Sequence, residues 1–152
     1  MLKSFKFNLE KVLSLKLHNE ELAKIDYAKI LQKKVAKELE NDACSGNIIR
    51  AETVSFSYME SKQQHVDYAL IDMNDRYIQS LRKRIIENNN EIESFRPELE
   101  KKEMVFKECM RERKMLEKIK DKKYTEYLEE CELEETEMLD EVSSNMFIRA
   151  WR

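Results

Sequence analysis

The chain has one glycine, Gly46, and one proline, Pro97, in 152 residues, where an ordinary protein devotes roughly 12 per cent of its length to the two together. Glycine supplies the left-handed backbone of sharp turns, and proline breaks helices and central strands. A chain nearly without either has few places to reverse, so long helices are expected. A lone glycine also excludes the Walker loop, the dinucleotide fingerprint and the nucleophile elbow, each of which needs several. No catalytic residue, cofactor or enzymatic activity is therefore expected.

Cysteine is scarce as well. Cys44, Cys109 and Cys131 are odd in number, widely spaced and without a CxxC pair, which suits neither a disulfide framework nor a zinc site and fits a reducing cytoplasm. The two histidines, His18 and His65, have no nearby cysteine or carboxylate arrangement repeated at metal-ligand spacing, so no metal is expected. Long hydrophobic runs are missing too. Lys3, Lys6, Lys11 and Lys16 interrupt the N-terminal stretch, and no run of about 18 apolar residues exists elsewhere, so neither a signal peptide nor direct membrane insertion is expected. With a net charge of -3, the chain lacks the basicity that draws proteins to nucleic acid, and no nucleic-acid partner is expected.

What remains is 39% charged and 41% hydrophobic residues, a coiled-coil composition. Helices of 40 to 70 residues would be roughly 60 to 105 Å long, which predicts a rod whose thin section has no pocket to desolvate its many carboxylates. The clearest period lies in the second half. Leu81, Ile85, Asn88, Ile92, Phe95, Leu99, Lys102, Phe106, Cys109, Arg113 and Leu116 alternate steps of four and three, the heptad that faces a partner helix continuously under a left-handed twist. Asn88, Lys102 and Arg113 weaken this seam while helping to set its register. Beyond Leu116, consecutive steps of four at Lys120 and Tyr124 resemble a stutter, and the apolar strip continues through Leu128, Cys131, Met138, Val142 and Met146. In the first half, Leu15, Leu22, Ile25, Ala36 and Leu39 fall on a heptad with His18, Lys29 and Gln32, and this stripe is expected to face the second helix.

These patterns predict an all-α fold in a single elongated domain: two long helices forming an antiparallel coiled-coil hairpin. Helix one covers about 8–45 and helix two about 66–147, with the reversal somewhere in 41–66, where Ser, Thr and Asn accumulate around Gly46. Pro97 is expected to kink helix two without starting a new one, because Phe95, Leu99 and Phe106 hold their phase across it. A reversal near 55 to 62 would set Leu9 against residues 101–115, leaving everything from about 118 onward uncovered, including Tyr124, Tyr127, Leu128, Leu139 and Met146. An exposed apolar strip of that size marks a binding site. Charge divides the same helix. Lys101 to Lys123 holds ten Lys/Arg and five acids, whereas Glu129 to Glu141 holds eight acids and no base, a block whose self-repulsion a basic partner surface would relieve.

Three segments resemble the FliJ/YscO family of type III secretion. The opening Phe7-Asn8-Leu9-Glu10-Lys11-Val12-Leu13, followed by HNEELAKIDYAKIL, resembles the family's F-x-L-E-x-V-L start. Tyr77-Ile78-Gln79-Ser80-Leu81 through Ile85 resembles the beginning of its second long helix. Arg113, Leu116, Glu117, Lys118, Lys122, Lys123, Tyr127, Asp140 and Glu141 resemble its C-terminal helix. The resemblance implies a hairpin similar to the gamma subunit of rotary ATPases. It also implies a non-enzymatic, cytoplasmic component of flagellar protein export, peripherally associated with the inner-membrane basal body.

Its implied partners are the hexamer of the export ATPase (FliI-like), whose assembly it promotes, the export gate (FlhA-like) and export chaperones. ATPase contacts are expected at Phe7, Leu9, Val12, Leu13, Tyr124, Leu128, Leu139 and Met146, and gate contacts at Tyr77 and Leu81, where Arg84 and Asn88 depart from the family's small and imidazole residues. Two other classes compete: a cytoskeletal or scaffolding coiled coil that buries its overhang by self-association, and an RNA-binding rod using Lys101 to Lys123.

Overall fold

A computed structural model describes residues 4–60 and 66–151. Two helices account for nearly all of them: α1, Glu10–Glu60, of 51 residues, and α2, Tyr68–Ala150, of 83 residues. They pack against each other as an all-α antiparallel coiled-coil hairpin, with no strand among the described residues. The start of α1 is closed by Leu13 N–H donating to Leu9 O at 2.8 Å and Glu10 N–H donating to Phe7 O at 3.1 Å. The start of α2 is capped by Asp67, whose Oδ1 accepts from the Ala69 and Leu70 N–H groups at 3.1 and 3.3 Å. An aspartate there satisfies donors that have no partner within the helix.

The first helix is longer than its sequence suggests. It runs through Gly46 to Glu60 instead of stopping near residue 45. A mid-helix glycine costs only about 1 kcal/mol against alanine, less than the packing gained from Ile48, Ala51 and Ser55 beyond it. The hydroxyls that read as loop chemistry fold back onto the helix: Thr53 Oγ1 donates to Ile49 O at 2.8 Å and Ser57 Oγ to Val54 O at 2.7 Å. The chain therefore reverses between Glu60 and Tyr68; residues 61–65, including His65, lie outside the described residues. A Cβ at Gly46 would meet nothing nearer than the Arg50 guanidinium at 4.0 Å. Gly46→Ala should accordingly raise stability by about 1 kcal/mol, read as a higher urea midpoint with an unchanged slope.

Backbone contacts group the chain into two units, Met1–Leu22 with Lys107–Arg152 and Ala23–Phe106. Each holds its own stretch of interhelical packing. In the unit of residues 23–106, Ala23, Ile30, Cys44, Ala51 and Ser55 are buried on α1, and Ile71, Ile78 and Asn88 on α2. Tyr27 stacks on Phe106 with ring centres 6.5 Å apart and planes 8° from parallel. All eleven α2 positions from Leu81 to Leu116 that the heptad assigns to the seam are buried or half-buried. Pro97 lies inside α2 on an exposed position, where the carbonyl that its missing N–H would have served opens to water.

The α1 stripe is a correction. Leu15, Leu22, Ile25, Ala36 and Leu39 are exposed; the seam runs instead through Leu13, Lys16, Glu20, Ala23, Tyr27, Ile30, Lys34, Lys37, Asn41, Cys44, Ile48, Ala51 and Ser55. The two series differ by two residues, about 200° around the helix. The polar residues of α2 decide between them. Arg113 binds Glu20, Asn88 Nδ2 donates to Asn41 Oδ1 at 2.9 Å, and Asn74 Nδ2 donates to Ser55 Oγ. Turning the leucine stripe inward would bury those α2 groups without partners, and each orphan costs about 1–3 kcal/mol.

Ion pairs flank the seam. Arg84 Nε donates to Glu40 Oε1 at 2.7 Å, Lys37 reaches Glu91 at 3.0 Å and Arg82 reaches Glu52 at 3.1 Å. The hydrogen bond from Arg84 holds the Glu40 carboxyl below its ordinary value. A lowered folded-state value means stability that is complete above the unfolded carboxylate range and lost as pH falls through it. Arg84→Gln should therefore flatten the acid limb of a thermal-unfolding profile between about pH 5 and 3 while leaving its slope near neutrality unchanged.

Candidate partner-binding surfaces

The unit of residues 1–22 and 107–152 contains the strip expected to be bare. It is partly covered. Because α1 starts opposite Lys120, with Lys120 Nζ 2.8 Å from Glu10, the segment before it reaches past the helix pairing and lies along α2. Phe5 meets Tyr124 edge-on with ring centres 5.2 Å apart and Tyr127 at 5.5 Å, and Lys120 Nζ sits 5.9 Å from the centre of the Phe7 ring. Cover thus extends to Cys131, and α2 is exposed throughout from Glu132 onward. The uncovered strip starts later than the expected 118 because the chain reverses after Glu60, later than 55 to 62, while Leu128, Leu139 and Met146 are exposed as expected.

Between this segment and α2 is an open cleft of about 710 Å³, walled by Ser4–Leu9 on one side and by Ile119, Lys123, Glu126, Tyr127, Glu130, Cys131 and Glu134 on the other. Its floor is aromatic and its far rim acidic. Lys123 Nζ lies 2.8 Å from Glu126, and this contact lowers the Glu126 carboxyl and raises the Lys123 ammonium relative to their ordinary values. The Tyr127 hydroxyl is pushed up, first by its hydrogen bond with Cys131 and then by burial. A rim already holding three carboxylates, at Glu126, Glu130 and Glu134, suits a partner that brings apolar side chains and positive charge.

The expected contact residues separate into groups. Phe7 and Leu9 line the cleft, Tyr124 is held by Phe5 at its edge, and Val12 and Leu128 are exposed close to it in sequence. Leu13 is 5% exposed and packs inward between the helices, so it offers no surface to a partner. Leu139 and Met146 are 67% and 68% exposed on the bare end of α2. Phe5 was not singled out from the sequence. Phe5 could have been, since it stands two residues before Phe7 in a segment too short to be helical, a spacing that turns aromatic rings along an extended chain.

The unit of residues 23–106 carries a second surface. Val54, Tyr58, Leu70, Met73, Asn74 and Tyr77 line a shallow groove of about 380 Å³ between the end of α1 and the start of α2. Tyr77 is exposed there, whereas Leu81 is half-buried in the seam. The α1 half of this groove was missed because Val54 and Tyr58 fall in the stretch read as a turn. No helix of the described residues is long and apolar enough to cross a membrane, and among them no three His, Cys, Asp or Glu side chains gather to hold a metal ion.

A model of the family described as flagellar FliJ protein matches residues 5–152. No curated protein and no solved structure matches the chain.

Proposed function

The chain belongs to the flagellar FliJ family and is a component of flagellar export; from that premise we propose that it is a non-enzymatic coiled-coil partner of the export ATPase (FliI-like), docking through the cleft at Phe7 and Tyr124 and the bare end of α2. In this reading it promotes assembly of the ATPase ring and couples the ring to the export gate (FlhA-like) and to export chaperones, working in the cytoplasm at the base of the flagellum. The observation that carries it is the aromatic cleft of about 710 Å³ continuous with an exposed helical end. Leu139 and Met146 supply apolar anchors, and the acidic rim supplies orientation. The groove at Tyr77 and Met73 is the proposed gate contact.

Binding of the purified chain to the cognate ATPase, and its effect on hydrolysis and ring assembly, test the reading. Tyr124→Ala with Leu139→Ser should weaken ATPase binding on the order of tenfold, about 1.4 kcal/mol, with unchanged helicity. Tyr77→Ala should spare that binding and weaken capture of the gate's cytoplasmic domain. A wild-type chain that neither binds the ATPase nor alters its assembly would overturn the proposal.

A further inference from the structure

The leucine stripe displaced from the hairpin seam leaves α1 with a second apolar face. Between Lys24 and Leu39 it carries Ile25, Val35, Ala36 and Leu39, all exposed, with Leu39 at 63%. Its charge is one-sided: Lys24 to Lys37 holds five lysines and a single acid, Asp26. Asp26 is already engaged by Lys102 at 3.7 Å. Lys34 and Lys37 are likewise occupied, by Glu38 and Glu91. Lys24, Lys29 and Lys33 are exposed and hold no ion pair among the described residues.

The same polypeptide carries the complement. From Glu129 to Glu141 there are eight acids and no base, and none of the eight makes an ion pair among the described residues. Met138, Leu139, Val142 and Met146, at i, i+1, i+4 and i+8, share one side of the helix and are exposed. Each stretch covers about four helical turns, roughly 22 Å. We propose that the outer face of α1 from Lys24 to Leu39 docks the acidic end of α2 from a second copy of this chain.

Apolar residues meet apolar residues in such a pairing, and Lys24, Lys29 and Lys33 meet Glu132, Glu135 and Glu141, which lie on or beside the apolar side of α2. The basic run of α2 is a poorer receptor. Lys102, Arg113 and Lys120 are spent on Asp26, Glu20 and Glu10, and five acids interleave the rest. The inference stands apart from the ATPase reading. Because the pairing covers Leu139 and Met146, it makes self-association and ATPase binding compete.

Sedimentation equilibrium of the full chain, with circular dichroism to verify helicity, tests it. Self-association is expected at low ionic strength and should weaken more than tenfold at 1 M salt, where the screening length is about 3 Å. The exposed triple change Lys24→Glu, Lys29→Glu, Lys33→Glu should abolish it, as should Glu132→Lys, Glu135→Lys, Glu141→Lys. Mixing the two reversed chains should restore association between them, with the charges exchanged. A chain that stays monomeric at all concentrations overturns the proposal. So does association indifferent to both triple changes, which would put the contact elsewhere, or reversed chains that fail to pair.

Discussion

Asn88→Ala should lower the stability of the hairpin by about 3 kcal/mol, the largest loss expected from any single truncation on α2. Asn88 is 1% exposed, the most deeply buried side chain in either helix. Its Nδ2 donates to Asn41 Oδ1 at 2.9 Å and its Oδ1 accepts from Lys37 Nζ at 3.4 Å, while Asn41 Nδ2 donates to Asn89 Oδ1 at 2.8 Å. Alanine removes both bonds, leaves the Asn41 carbonyl facing a void, and weakens the hold on Lys37.

The paired change Asn41→Leu, Asn88→Leu separates energy from specificity. Two leucines in that layer should recover or exceed native stability, because a satisfied polar pair contributes little net energy compared with apolar packing. What they should lose is uniqueness. A buried amide pair makes a slipped register bury an unpaired amide, and removing it leaves pairs such as Asn74–Ser55 and Arg113–Glu20 to hold the register with less margin against a slide by a heptad. Urea unfolding reads the first effect. A cysteine crosslink placed at Glu40 and Arg84, which are paired in this register, reads the second by losing yield. A loss below about 0.5 kcal/mol for Asn88→Ala would show that the layer is not sealed from water.

Arg113→Leu should cost about 2 kcal/mol, for a different reason. The Arg113 and Glu20 side chains are 19% and 16% exposed, and the guanidinium also binds Glu117 Oε2 at 2.7 Å through its other arm. Hydrogen bonds to these two carboxylates push the arginine above its ordinary value. Removing one member of a buried ion pair costs roughly 3–5 kcal/mol because the other charge stays behind desolvated; the water still reaching Glu117, 43% exposed, lowers the expectation here. Arg113→Lys should recover only part of the loss, since an ammonium cannot span both carboxylates as a planar fork does. Glu20→Leu combined with Arg113→Leu should return most of it by replacing the pair with apolar packing. Thermal unfolding of the wild type, Glu20→Leu, Arg113→Leu and the double change forms a double-mutant cycle, and additive losses would mean that the two residues are not coupled.

Both networks explain which part of this fold could be read in advance. The α2 seam was legible from Leu81 to Leu116 because its heptad has no rival on that helix. Helix α1 carries two heptads two residues apart, and the one with more leucines faces water. Counting apolar residues favours Leu15, Leu22 and Leu39, yet Glu20, Asn41 and Ser55 face inward because Arg113, Asn88 and Asn74 on the other helix require them. Hydrophobic periodicity treats an inward Glu as a fault. It cannot see that the partner supplies an inward Arg.

The candidate surfaces were legible to a similar degree. Phe7 and Leu9 were identifiable from their place in the family pattern and Tyr124 from the apolar strip beyond Leu116, and the fold gathers them around one cleft. Leu13, equally apolar and four residues further on, went to the core because its position coincides with the inward heptad. The groove at Val54, Tyr58 and Tyr77 depended on the length of α1, and local composition around Gly46 pointed to a stop. Helix propensity at one glycine is a small term, whereas packing over the following fourteen residues is a sum of many.

The near absence of glycine and proline, the charge-rich composition and the heptad of α2 determined by themselves that this chain is a pair of long helices with few turns, since those properties act on the backbone locally. Tertiary structure alone decided where the first helix ends, which face of it turns inward and how far the N-terminal segment reaches along α2. Each of those choices depends on what stands opposite, and a buried polar group declares its preferred neighbour only when the second helix is present to satisfy it.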